Sequence, residues 1–230
     1  MFIIPSTVAT VVRYPLGLRV GAVGARPVKT LELYEFETCP FCRKVREALT
    51  MLDLEVVIRP APHGGERFRP EAIARGGKSQ FPLLCDPNLP EAEQLIYESD
   101  AIVAHLYQHY GAGPVPLGLR LGPIGNLTSS MASALRLGRG RRARPSRAPA
   151  EPLALWSFEG SPYCRRVREE LCELELTYVL HNAGTGSARR AELRERAGRV
   201  QVPYLEDPNT GATMLESRAI VRYLSATYGG

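Results

Sequence analysis

Two stretches of the chain repeat the same order of apolar and polar positions. Leu31, Leu33 and Phe36 open the first and Leu153, Leu155 and Phe158 the second, as short buried strands. Beyond each, apolar residues fall at i, i+4 and i+7: Val45, Leu49 and Leu52, then Val167, Leu171 and Leu174. That spacing predicts a helix with one apolar face. Val56-Val57-Ile58 and Tyr178-Val179-Leu180 read as second strands, and residues 66–76 and 187–197 as polar helices ending near glycine. The segments at Pro82 and Pro203, with the runs 94–97 and 212–215, predict a short antiparallel pair in each stretch. A last helix follows, with Ser99 and Ser217 expected as its N-caps, because a side-chain oxygen there satisfies an orphan backbone N–H.

The repetition extends to residue identity. Aligning the twenty residues from Cys39 with the twenty from Ser161 gives ten identities. Downstream, Gln80-Phe81-Pro82 through Asp86-Pro87-Asn88 is matched by Gln201-Val202-Pro203 through Asp207-Pro208-Asn209, and Glu98-Ser99 by Glu216-Ser217. The chain is a tandem repeat of a strand–helix–strand–helix–strand–strand–helix unit. The expected division is residues 1–112, a connector over 113–151, and 152–230. A shift of 122 overlays residues 6–30 on 128–152, so each copy is expected to carry an N-terminal extension. A competing match, Pro15-Leu16-Gly17-Leu18-Arg19 with Pro116-Leu117-Gly118-Leu119-Arg120, disagrees with that register and is expected to be a packed loop.

At 230 residues and 44% hydrophobic content, the chain has room for two modest cores. The formal charge of +5 is a mild lean towards anionic partners. Six arginines (Arg136, Arg139, Arg141, Arg142, Arg144, Arg147) lie between the two active-site helices and read as a solvated connector. No aromatic interleaving marks them for nucleic acid. Five cysteines are too few and odd in number for a secreted disulfide scaffold, which points to a reducing compartment, the cytoplasm. The N-terminus lacks a secretory pattern, and no apolar run is long enough to span a bilayer.

The chemistry concentrates where each first strand meets its helix. Copy one has Cys39-Pro40-Phe41-Cys42; copy two has Ser161-Pro162-Tyr163-Cys164. A cysteine at a helix start lies among unpaired N–H groups and the positive end of the helix dipole, which favour a thiolate. Arg43, Lys44 and Arg46 are expected to add positive charge. Cys42 is placed to resolve a mixed disulfide. Half a zinc site or inert core cysteines are the alternatives, but no second cysteine pair completes a zinc site and no metal is expected. His105 and His109, one turn apart, read as a solvated helix face. Cys85 is expected in the core, with a third redox thiol as the other reading, and Cys172 beside the buried stripe.

These motifs, in this order and in both copies, resemble the thioredoxin-like fold of glutaredoxins and of glutathione S-transferase N-terminal domains. The resemblance implies an α/β fold with two such domains and without the all-helical domain of the transferases. It implies cis prolines at Phe81-Pro82 and Val202-Pro203, whose preceding residues hold the cysteinyl part of glutathione. It also implies that Glu98 with Ser99, and Glu216 with Ser217, hold the glutamyl end. For Ser161 two readings stay open: stabilising a glutathione thiolate, or marking a copy that has lost chemistry, with Cys164 in the resolving position. The function this suggests is a glutathione-linked thiol–disulfide oxidoreductase acting through Cys39 on glutathionylated or disulfide-bonded proteins. A glutathione transferase-like enzyme and a non-enzymatic adaptor are its rivals.

Overall fold

The computed structural model describes residues 16–120 and 138–230. Pro15, Gly122, Gly125 and Arg136, together with most of the overlay of residues 6–30 on 128–152, lie wholly or partly outside them. In copy one, β1 (Leu31–Glu35), α1 (Pro40–Met51) and β2 (Val56–Pro60) form a parallel crossover unit. It is followed by α2 (Phe68–Gly76), the antiparallel pair β3 (Leu83–Cys85) and β4 (Leu95–Tyr97), α3 (Ser99–Tyr110) and a single turn, α4 (Leu117–Arg120). Copy two repeats the plan as β5 (Leu153–Ser157), α5 (Pro162–Glu173), β6 (Tyr178–Asn182), α6 (Arg189–Ala197), β7 (Tyr204–Asp207), β8 (Ala212–Leu215) and α7 (Ser217–Tyr228). This is the tandem thioredoxin-like α/β architecture the repeat implied.

The copies share one eight-stranded sheet, ordered β4-β3-β1-β2-β6-β5-β7-β8. The seam is the antiparallel pair β2–β6, with Val57 opposite Val179, its own counterpart in the repeat. A pseudo-twofold axis therefore passes through that pair. Strand alternation sends Leu31 and Leu33, with Leu153 and Leu155, to one face of the sheet, where they join Val45, Leu49, Val167 and Leu171 in a single core. The opposite face carries two small separate cores, around Tyr34 under α2 and around Trp156 under α6.

The spacing predicts one apolar face on α1, and the structure buries more than that face. Every residue from Cys42 to Thr50 is buried, including Arg43, Lys44, Arg46 and Glu47. The reason is the twofold packing. Strand alternation places Glu35 on the core face, and Glu37 follows in the turn to α1. Arg46 Nε donates to Glu159 of the other copy at 2.8 Å, and its Nη1 donates to Glu35. Arg168 reciprocates: its Nε donates to Glu37 at 3.2 Å and its Nη2 to Glu159 at 2.6 Å. Four arginines (Arg43, Arg46, Arg165, Arg168) and four glutamates (Glu37, Glu47, Glu159, Glu169) are buried in matching positions, and Glu35 is an extra carboxylate where copy two has Ser157. Thr50 Oγ1 donates to Asn182 at 3.0 Å and accepts from the Glu159 N–H at 3.3 Å, closing the seam.

The N-terminal extensions are exchanged. Residues 18–20 pair with Thr185 of copy two, through Thr185 N to Leu18 O and Val20 N to Thr185 O, each 2.9 Å. Residues 141–143 pair with His63 of copy one in the same way, through His63 N to Arg141 O at 2.8 Å and Ala143 N to His63 O at 3.0 Å. The arms correspond at a shift of one residue more than the sequence alignment of 122 implied. The segment holding most of the six arginines is held by backbone pairing with His63 while those arginines stay exposed to solvent as expected, and Arg144 ion-pairs with Glu170 and Glu173. The two Leu-Gly-Leu-Arg segments fold differently: one belongs to an arm, the other is α4, and Leu16 packs on Gly118. At the crossing, Gly160 N donates to Gly17 O at 2.8 Å, and a Cβ on Gly160 would lie 2.3 Å from the Leu18 side chain.

Replacing one member of the buried charge set leaves another charge without its partner in a low-dielectric seam. Arg168→Met is expected to cost about 3–5 kcal/mol. Urea unfolding followed both by circular dichroism and by the single tryptophan, Trp156, measures it; a loss below about 1 kcal/mol would contradict this role for the network.

Candidate functional site

Cys39 and Ser161 occupy the same structural position, the N-cap of the helix that follows the first strand. Cys39 has extended backbone (φ −68°, ψ 122°), and its Sγ accepts from the Cys42 N–H at 3.3 Å. Ser161 Oγ accepts from the Cys164 N–H at 3.2 Å. Each is followed by proline at the first helical position, where the missing N–H costs nothing. The hydroxyl of copy two thus satisfies a helix end as serine ordinarily does, and the sulfur of copy one does so in the same geometry.

The cations expected around Cys39 are engaged elsewhere. Arg46 is spent on Glu35, Glu37 and Glu159, Arg43 pairs with Glu47 at 3.1 Å, and Lys44 ties α1 to Asp100 at the start of α3. What favours the thiolate is more local. Burial works against it, but the thiol of Cys42 and the backbone N–H groups of Cys42 and Phe41 donate to the sulfur and hold its pKa below the ordinary thiol value. Cys42 is the reverse case: complete burial and the neighbouring Cys39 push its thiol well up. Within the pair the Cys39 thiol is therefore the more acidic and the Cys42 thiol the less. Cys39 is only 3% exposed, and its Sγ lies 3.9 Å from the Phe81 carbonyl oxygen.

Both Phe81-Pro82 and Val202-Pro203 are cis. Phe81 precedes β3, so its backbone faces the thiol rather than a strand ladder. The start of α3 lies in the same neighbourhood, linked by the Gln80 side-chain amide donating to Glu98; Gln201 and Glu216 make the same bond at 2.6 Å in copy two. The sequence places Ser99 and Ser217 as N-caps, and this needs correcting. Glu98 and Glu216 are the caps, with left-handed backbone at φ 67° and 72°, and neither side chain bonds to its helix. Ser99 and Ser217 are the buried first residues of the helices. The first turn of each twelve-residue helix consequently has N–H groups with no side-chain cap, a suitable place for a carboxylate.

The remaining candidates fall outside this cluster. Cys85 is buried against Arg75, whose Nη2 lies 3.1 Å from its sulfur, and burial pushes its thiol up despite that cation. Cys172 accepts from the Glu37 N–H at 3.4 Å and donates to the Gly140 carbonyl at 3.3 Å, and full burial pushes its pKa well up. All five cysteines are free. His105 is not simply solvated: its Nε2 lies 2.8 Å from Asp86, which also accepts from Tyr110 and Asn88. Asp207 is held likewise by Tyr223, Tyr228 and Asn209, so the Asp-Pro-Asn motif fastens the last helix of each copy. Among the described residues there is no cluster of three or more potential metal ligands, and no helix is long and apolar enough to cross a membrane.

Glu35 is the site residue that sequence reasoning missed. It is fully buried beside Arg46, and its charge bears on both Cys39 and Cys42. Burial, with Glu37 and Glu159 nearby, raises its pKa to about 7 against the pull of Arg46 and Arg168. The available signal was positional: strand alternation sends Glu35 inward with Leu33, and copy two has Ser157 there.

Known proteins provide the comparison. The family profile described as the glutathione S-transferase N-terminal domain matches residues 33–114 and again 155–230. No curated protein sequence matches the chain. Among solved structures, a glutathione transferase of Bombyx mori is similar at 26% identity over 39% of each chain, with a TM-score of 0.33. A trimeric glutathione transferase of Leishmania is similar at 13% identity over 88% of this chain and 68% of its own, with a TM-score of 0.30. The chain thus spans only 39% of the Bombyx mori enzyme's length.

The raised pKa of Glu35 has a consequence for stability. The folded state holds this proton more tightly than the unfolded chain does, so its contribution is complete below the ordinary carboxylate pKa. It is lost as pH rises through about 7. Glu159, held well below the usual range chiefly by Arg168 and Arg46 against its burial, acts in the opposite sense and is lost only on strong acidification. Glu35→Gln is expected to remove about 1–3 kcal/mol of the wild-type decline between pH 5 and pH 8. Urea midpoints of both proteins at the two pH values test this; identical pH dependence would refute it.

Proposed function

Because the chain belongs, in both copies, to the family of glutathione S-transferase N-terminal domains, we propose that it is a glutathione-linked thiol–disulfide oxidoreductase working through Cys39. The observation that carries this reading is the position of the Cys39 sulfur: at a helix N-cap whose hydrogen bonds lower its pKa, against the carbonyl of a cis-proline loop and next to an uncapped helix start. Glutathione fits that arrangement as co-substrate. Its cysteinyl backbone would pair with Phe81 beside Pro82, and its glutamyl carboxylate would take the open N–H groups at Glu98 and Ser99. Five free cysteines accord with a reducing compartment, so the cytoplasm is part of the same proposal.

The chemistry runs in two displacements. The Cys39 thiolate attacks the glutathionyl sulfur of a mixed disulfide. A bond forms between Cys39 and glutathione as the target's S–S bond breaks, and the target leaves as a thiolate that takes a proton from water. A glutathione thiolate then attacks the same sulfur, yielding glutathione disulfide and returning Cys39 as thiolate. Cys42 can replace that glutathione only after losing a proton, which its complete burial opposes. Glutathione therefore carries the second step, and Cys42 serves chiefly as a donor to Cys39.

In copy two, Ser161 offers no sulfur, and Cys164 is fully buried behind it. Its part in this reading is architectural: it supplies half of the buried charge seam and the arm that reaches copy one. Val202-Pro203 and Glu216-Ser217 repeat the cis proline and the uncapped helix start of copy one, and equilibrium binding to the Cys39→Ser protein would reveal any occupancy there.

Reduction of bis(2-hydroxyethyl) disulfide, coupled to glutathione and glutathione reductase, tests the assignment. Cys39→Ser is expected to lose at least 100-fold in rate, and Cys42→Ser to retain at least a third. A Cys39→Ser protein with full activity would overturn the proposal, and conjugation of a model electrophile instead would favour a transferase. The Cys39 pKa supplies a second check. Iodoacetamide should alkylate the reduced protein with a half-maximal rate at a pH below about 8.5, the ordinary thiol value; an unreactive thiol at neutral pH would contradict it.

A further inference from the structure

The thiol site of copy one is bordered by cations that the described catalytic geometry leaves unused. Starting from the sulfur, Phe81 O lies 3.9 Å away and Phe36 O accepts the Cys39 N–H at 3.0 Å. The rings of Phe36 and Phe81 meet edge to face at 6.4 Å, and the Arg69 guanidinium lies 4.5 Å over Phe81 and 5.9 Å over Phe36. His63 packs edge-on against Phe36 at 5.1 Å. Its backbone is clamped between Arg141 and Ala143 of the second copy's arm, which places Arg141 and Arg142 at the same rim.

Among the described residues, none of Arg69, Arg141 and Arg142 has a carboxylate within 4.0 Å, whereas Arg26, Arg59, Arg75, Arg144, Arg189 and Arg196 are each ion-paired. Arg69 spends its donors on the Ala61 and Pro62 carbonyls and on Ser79. Partial desolvation and the charges of these three arginines push His63 down, so it adds no positive charge at neutral pH. The rim differs in part between the two copies. Across the pseudo-twofold, Leu18 stands for Arg141, Thr185 for His63 and Val202 for Phe81, while Arg19 and Arg190 match Arg142 and Arg69.

We infer that the disulfide substrate of Cys39 is an acidic polypeptide segment, whose carboxylates pair with Arg69, Arg141 and Arg142 while its apolar side chains rest on Phe36 and exposed Phe41. This rests on the oxidoreductase reading and names the substrate class of that site. Nucleic acids present anions but no disulfide, so the thiol selects a cysteine-bearing chain. The second copy's arm supplies two of the three cations, giving the copy without a sulfur a direct part in substrate choice.

The test uses the full chain with two glutathionylated peptides of equal length, the cysteine flanked by glutamates in one and by lysines in the other. In low salt, kcat/KM for the glutamate peptide should exceed that for the lysine peptide by at least 10-fold, and the ratio should fall towards 1 in 0.5 M salt. In Arg141→Glu/Arg142→Glu the ratio should invert, with the lysine peptide reduced faster than by wild type, a gain that misfolding cannot produce. Equal rates on the two peptides, or a ratio unchanged in the double variant, would overturn the inference. Equal rates together with salt-sensitive competition by free glutathione disulfide would assign the cations to glutathione itself and likewise overturn it. Anisotropy of fluorescein-labelled peptides on the Cys39→Ser protein reads the same preference without turnover. Loss of that preference in Arg141→Glu/Arg142→Glu supports the inference, and its absence in the parent sinks it. The oxidoreductase reading fails separately, if wild type leaves bis(2-hydroxyethyl) disulfide unreduced.

Discussion

Two copies of one small unit meet by burying charge against charge. Arg46 of the first reaches Glu159 of the second, and Arg168 of the second reaches Glu37 of the first, around an axis marked by Val57 and Val179. Taking these groups out of water is costly, and the cost is recovered only if every partner is in place. The seam therefore accepts one relative placement of the copies and rejects others. The continuous sheet, the shared core and the crossing of the arms all follow from that placement.

The same seam governs the chemistry. The helix after Cys39 carries Arg43, Lys44 and Arg46, yet those charges serve the interface and α3, so thiolate stabilisation comes from hydrogen bonds at the helix start. Glu35 is the one acid in the set without a symmetry mate, and it coincides with the one copy that retains a sulfur at the cap. Its complete burial, together with the neighbouring carboxylates of Glu37 and Glu159, is what raises its pKa against the pull of Arg46 and Arg168.

The exchanged arms give the two rims different side chains while leaving the halves structurally alike. Each arm pairs with the other copy, one setting Leu18 against Thr185 and the other setting Arg141 against His63. A duplicated unit can keep its fold under one set of constraints while its rims diverge, because rim side chains bear little of the packing energy.

Much of this architecture was legible in the sequence. The order of strands and helices, the duplication and the cap position of Cys39 and Ser161 depend on periodicity and on contacts between residues a few positions apart, which a linear pattern records. Three features were not. Arg43, Lys44 and Arg46 read as positive charge for the thiol because a charged helix surface looks the same whether it serves a nearby site or meets a matching surface of opposite charges. The helix start was displaced by one residue, since the left-handed backbone of Glu98 is imposed by its setting and not by its type. The arms paired with the opposite copy, in a register the alignment missed, because their partners Thr185 and His63 are far away along the chain. The sequence by itself determined the two units and the placement of the sulfur in one of them. Only the tertiary structure decided which charges were left for the thiol, because burial and pairing are set by surfaces that meet after each unit has folded.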